Sequence, residues 1–136
     1  MARNFDLIGE NAIVKGETFK LTIVYPDADF TQWQMSGQIR KTPISSEILA
    51  AFSFPVKVFG DIEEGTNPIS QGTTIVAELT AAQTATLPKH KVKASVRDPV
   101  KIGRTAWCYD IEATNGSDTI KLVTLSAVEV VLEVTR

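Results

Sequence analysis

The stretch Trp107-Cys108-Tyr109-Asp110-Ile111-Glu112-Ala113-Thr114-Asn115-Gly116 sets Trp107, Tyr109, Ile111 and Ala113 at alternate positions and closes on Asn-Gly. Successive side chains of extended backbone point to opposite faces, so a two-residue apolar repeat marks a half-buried strand. Asn-Gly supplies the positive φ angles of a tight hairpin. Ile120 to Leu125 follow, and in the last run Val128, Val130, Leu132 and Val134 alternate with Glu129, Val131, Glu133 and Thr135. The expected structure of this end is an antiparallel meander.

Working outward, the same period recurs. Phe19, Leu21, Ile23 and Tyr25 alternate with Lys20, Thr22 and Val24 until Pro26, which cannot donate to a ladder. Trp33, Met35, Gly37 and Ile39 alternate with Gln34, Ser36, Gln38 and Arg40. Phe5 to Ile8 form a short apolar opening and Asn11 to Gly16 a bend. Ile44 to Ala51 suit either a helical turn or a strand, and a strand is favoured from Leu49 to Phe59, with Pro55 placing it at a sheet edge. Phe52, Phe54, Val56 and Val58 would form its apolar face, guarded only by Pro55 and Lys57, which makes it a plausible joining surface and predicts self-association.

Gly60 to Gly72 carries Asp61, Glu63 and Glu64 among Gly, Asn, Pro and Ser, and reads as an exposed loop. Thr73 to Leu79 is a strand with Ile75, Ala77 and Leu79 on one side. Thr80-Ala-Ala-Gln83 has the form of a capped helical turn, stopped by Pro88. Turn signals at intervals of roughly ten to fifteen residues, with little helix between, indicate an all-β fold: an antiparallel two-sheet sandwich of about seven strands.

The chain has 136 residues and a mass of 14.8 kDa, the length of one domain spanning 1–136. At that size folding hides about two thirds of the unfolded surface. A single cysteine, Cys108, excludes an internal disulfide and a cysteine-based zinc cluster, which suits a reducing cytoplasm. The net charge of −2 and pI near 5.4 give no global attraction to nucleic acid or an anionic membrane. Charge at the N-terminus stands where a secretory signal needs an apolar run, and no run approaches a membrane span, so a soluble protein is expected.

Several landmarks then fall in order: Gly16-Glu17-Thr18-Phe19 before the first long strand, Gln38-Ile39-Arg40 closing the second, Leu79-Thr80 with Thr84 and Leu87-Pro88, Tyr109-Asp110-Ile111-Glu112, and Val134-Thr135-Arg136. This order resembles small immunoglobulin-like β-sandwich structural proteins of tailed bacteriophages, including the N-terminal attachment domain of some baseplate and tail-fibre proteins. The resemblance spans nearly the whole chain and rests on the order and spacing of short motifs. It implies an immunoglobulin-like sandwich with a mechanical job: docking on a symmetric tail or baseplate and anchoring a fibre or neighbouring subunit. No enzymatic residues come with it. Where relatives need only a short turn after Leu87-Pro88, this chain inserts a basic arm at 89–104.

That arm holds Lys89, Lys91, Lys93, Arg97, Lys101 and Arg104, six of the chain's 14 Lys and Arg, against one acid, Asp98. Val92, Val96, Val100 and Ile102 interleave with the cations, so the segment can cover apolar surface while its charges seek carboxylates. Lys91, Lys93, Arg97, Lys101 and Arg104 are therefore the expected partner contacts. An ordinary solvated loop explains the same residues, whereas nucleic acid binding is disfavoured because no aromatic ladder accompanies the charge.

The remaining candidates read as structural. Trp107 and Tyr109 could stack a sugar, but large aromatics at strand period beside Ile111 belong to a core; Trp33, nearer a loop, suits an exposed role better. His90, the only histidine, lies among lysines without metal-ligand or catalytic neighbours. Asp27 and Asp29, or Asp61, Glu63 and Glu64, lack the ligand pattern of a calcium loop. No Gly-x-Ser-x-Gly elbow or phosphate-cradling glycine run is present. Cys108 should lie on the face opposite Trp107 and Tyr109, half covered or beneath a neighbouring subunit.

The expectation is a non-enzymatic virion component without metal or cofactor, assembled in the host cytoplasm. Its partners would be tail, baseplate, fibre or capsid proteins, homo-oligomeric in the particle, with no membrane contact. A capsid-decorating cement protein and a carbohydrate-binding adhesion module are the alternatives.

Overall fold

The computed structural model describes residues 4–62, 70–90 and 107–132. Its strands are β1 (Ile13–Val14), β2 (Phe19–Pro26), β3 (Gln34–Arg40), β4 (Ile48–Ala51), β5 (Ser53–Ile62), β6 (Ser70–Leu79), β7 (Cys108–Asn115), β8 (Asp118–Ala127) and β9 (Val130–Val131). One short helix, α1 (Ala81–Thr86), follows β6. The fold is all-β. Strands run β2-β6-β5 in one antiparallel sheet and β4-β3-β7-β8 in another, while β1 and β9 form a small parallel pair.

The alternation read from sequence builds the core. Leu21 of β2 and Ile75, Ala77 and Leu79 of β6 join Ile39 of β3 and Tyr109, Ile111 and Ala113 of β7 in one buried cluster drawn from both sheets. Burying a large apolar side chain contributes roughly 1.5–3 kcal/mol, so each large residue of this cluster adds to the driving force. Phe52, the single residue between β4 and β5, touches both sides: its ring lies 6.4 Å from that of Phe19 and 5.8 Å from that of Tyr109. The expected single strand over 49–59 is thus two strands in different sheets, with Phe52 N–H donating to Gly37 O at 2.9 Å where the chain crosses over. Both β4 and β5 are edge strands, and the ladder between β5 and β6 slips between Ser53 and Val56, where Pro55 offers no donor.

Other boundaries also moved. Of the loop expected over 60–72, the two described ends are strand: Gly60 faces Gly72, Asp61 faces Gln71 and Ile62 faces Ser70, while 63–69, with Glu63 and Glu64, lie outside the described residues. Backbone pairing across the ladder holds these ends in strand form, with Ile62 buried and Asp61 and Gln71 exposed. At the other hairpin Asn115 pairs with Asp118, so Gly116 and Ser117 are the loop, and only Gly116 has positive φ, at 62°. Glycine first and an ordinary second residue is the pattern of a II′ turn, in place of an Asn-Gly loop.

The final run departs most from expectation. Its described part, 128–132, leaves β8 and pairs in parallel with β1, Ile13 opposite Val130, while Leu7 bridges Val128 in the same sense; 133–136 lie outside the described residues. Val128 and Val130 are fully buried but Leu132 is 54% exposed. The meander ends at Ala127 because the next backbone groups pair with the N-terminal segment, Glu129 N–H donating to Leu7 O at 2.8 Å.

The capped turn is as read. Thr80 Oγ1 accepts from Gln83 N–H at 3.1 Å and Gln83 Oε1 accepts from Thr80 N–H at 2.8 Å. Gln83 Nε2 also donates to Ala51 O at 2.9 Å, which ties α1 to β4.

Candidate functional site

Lys91, Lys93, Arg97, Lys101 and Arg104 lie outside the described residues; the structure places the two ends of their segment. His90 and Val130 exchange both backbone hydrogen bonds, at 2.9 and 2.8 Å, and Val128 N–H donates to Trp107 O at 3.0 Å. The basic segment therefore leaves and rejoins the body on one short run, 128–130. The rings of His90 and Trp107 stack with centroids 4.5 Å apart and planes 2° from parallel. Burial holds the His90 pKa below its ordinary value, opposed by the nearby Glu129 carboxylate. Glu129 is itself buried and accepts from Gly9 N–H at 3.0 Å. The imidazole stacks flat on the indole, and its Nε2 accepts from Trp107 N–H at 3.4 Å.

The second surface is β5. It ends the order β2-β6-β5, so one flank of a ten-residue strand has no partner strand among the described residues. Val56, Val58 and Phe59 are exposed, Val58 at 57%. The expected shared face of Phe52, Phe54, Val56 and Val58 does not hold, because the slip at Pro55 inverts the alternation. Val56 and Val58 face outward opposite Val76 and Thr74, while Lys57 faces inward opposite the buried Ile75. Lys57 Nζ donates to Trp33 O at 2.7 Å, an inward-directed cation of the kind that guards sheet edges.

Trp107 and Tyr109 are buried, as read. Tyr109 Oη donates to Phe5 O at 2.6 Å, and burial, then Asp6, raises its pKa well above the ordinary tyrosine value. Trp33 is half-buried and meets Phe30 edge-on at 5.0 Å. Cys108 lies on the opposite face and is covered by Ile8, Leu125 and Ala127 of its own chain. Burial, then Asp110, pushes its thiol up to about 11 against the opposing charge of Arg40. Asp29 shapes its own turn, accepting from Thr31 N–H at 2.9 Å and Thr31 Oγ1 at 2.7 Å, and these bonds lower its pKa.

On the outer face of the second sheet Lys121 Nζ bridges Asp110 at 2.6 Å and Glu112 at 3.1 Å. These groups are partly exposed, and surface pairs of this kind contribute less than about 1 kcal/mol. Among the described residues no three of His, Cys, Asp and Glu converge as a metal would require. No described helix is long and apolar enough to cross a membrane. No local pattern points to the His90–Trp107 stack, since its members stand 17 residues apart.

Comparison with protein-family models, with curated proteins and with solved structures found no match.

Proposed function

We propose that the chain is a non-enzymatic structural component of a tailed-phage virion: an immunoglobulin-like sandwich that docks on the tail or baseplate and connects a fibre or neighbouring subunit. The observation that carries this reading is the flank of β5 that has no partner strand among the described residues, with its exposed Val56, Val58 and Phe59. Unpaired backbone donors and acceptors beside apolar side chains form a template for strand addition, and repetition on a symmetric particle multiplies a modest contact. Two further features support it. The core is shared by two sheets that the chain crosses between at Phe52, as a sandwich requires. The basic segment is rooted at a fixed point, so its cations start from a defined place on the body.

Gold labelling of a tagged chain in purified particles tests the proposal. Label on the tail or baseplate supports it, label spread over the head favours a cement protein, and absence from particles overturns it. Neutralising Lys91, Lys93, Arg97 and Lys101 together is expected to reduce incorporation; unchanged incorporation would remove the arm from the docking mechanism. A sugar platform at Trp33 is disfavoured by its half-buried, edge-on packing against Phe30.

A further inference from the structure

We propose that β5 pairs with β5 of a second copy of this chain, antiparallel about a two-fold axis through Phe59, fusing two three-stranded sheets into one of six. This deepens the docking reading above by naming the chain's own copy as an occupant of the β5 flank.

Strand geometry restricts where the axis falls. Residues facing each other across an antiparallel ladder point to the same side of the sheet, so an axis perpendicular to it passes through a residue position. Pro55 lacks the N–H that a continuous ladder needs, which leaves Val56 to Ile62 as the stretch of β5 able to pair. The midpoint of that stretch is Phe59.

The side chains favour the same centre. About Phe59, Lys57 faces Asp61 of the second copy and Asp61 faces its Lys57, giving two opposite-charge pairs on the inward side with Phe59 against Phe59 between them. On the outward side Val58 faces Gly60 and Val56 faces Ile62. Among the described residues nothing lies within 4 Å of where a Cβ on Gly60 would stand, so the opposing valine has open space to fill. Moving the axis to Lys57 sets that lysine against itself, and moving it to Val58 leaves both charges unmatched and returns Pro55 to the ladder. Lys57 already serves Trp33 O, but an ammonium has three donors and can accept a carboxylate as well. Asp61 is exposed and has no ion-pair partner among the described residues.

Sedimentation equilibrium of the full chain and of K57D, D61K and K57D/D61K tests the pairing, with circular dichroism confirming that each variant folds. The wild type is expected to dimerise with concentration. Each single reversal turns two attractions into two repulsions and is expected to weaken the dimer roughly tenfold, with the double variant regaining most of it. D61K alters only an exposed side chain, so it remains informative if K57D disturbs the Trp33 contact. A wild type that is monomeric at every concentration, or a dimer indifferent to the reversals, overturns the pairing. Particle labelling fails separately: a dimer absent from particles refutes only the virion reading, and a particle-borne chain monomeric in solution refutes only the pairing.

Discussion

His90 lies flat on Trp107, and the two residues bracket the basic segment like the closed base of a hairpin. The stack favours the neutral imidazole, because burial penalises the cation more than Glu129 rewards it. The sign of the pH dependence follows. Above the ordinary histidine value of 6.5 both folded and unfolded chains are neutral here. Below it the unfolded chain takes up the proton first, so stability falls as the pH is lowered through 6.5, until the folded His90 also titrates. Thermal melts from pH 8 down to 5 are expected to show a steeper loss for the wild type than for H90F, which keeps an aromatic face but cannot titrate. Equal slopes would remove His90 from the pH response.

Thr73 holds a buried corner. Its Oγ1 donates to Ala28 O at 2.6 Å and accepts from Phe30 N–H at 2.9 Å, tying the loop between β2 and β3 to β6. Thr73→Val keeps the shape and leaves a backbone donor and acceptor unpaired. The expected cost is about 1–3 kcal/mol, read from denaturant unfolding with an unchanged m-value.

Strands β2, β3 and β7 were legible because each has one buried face and a regular period, and the capping box because its two bonds are local. What stayed hidden depends on partners far away in the chain. Nothing in Val128 to Val134 distinguishes a third meander strand from one that leaves to pair with Ile13 and Val14. The apolar series through Phe52 reads as continuous, yet Phe52 is where the chain changes sheets. The edge character of Pro55 could be read; the inversion of faces it causes could not, since a one-residue slip exchanges inside for outside. The candidate surface was half visible in the same way: β5 stood out as an exposed edge, while the pairing of His90 with Trp107 joins two residues that each looked inert alone.

Cys108 is expected to be chemically silent in the folded chain. Its side chain is 2% exposed and its thiol is raised to about 11, so at pH 8 little thiolate exists and little of it is reachable. A thiol-reactive disulfide reagent should label it slowly under native conditions and completely after denaturation. Fast native labelling would mean that the cover formed by Ile8 and Leu125 opens readily.

Gly60 and Gly72 face each other across the β5–β6 hairpin and should respond oppositely to alanine. A Cβ on Gly72 would stand 2.5 Å from Tyr25 O and 2.9 Å from both Pro26 Cα and Ile62 Cδ1, and the first two are backbone atoms that cannot swing aside. Gly72→Ala must therefore push β2 away from β6, and a loss of about 1–3 kcal/mol is expected, with Leu21 and Ile75 of the core disturbed in turn. Gly60→Ala meets nothing among the described residues and should stay within about 0.5 kcal/mol of the wild type. Denaturation midpoints of the two variants check the contrast directly. Equal losses would mean that the glycines matter for backbone freedom, and that the close approach of β2 at Gly72 is relieved at little cost.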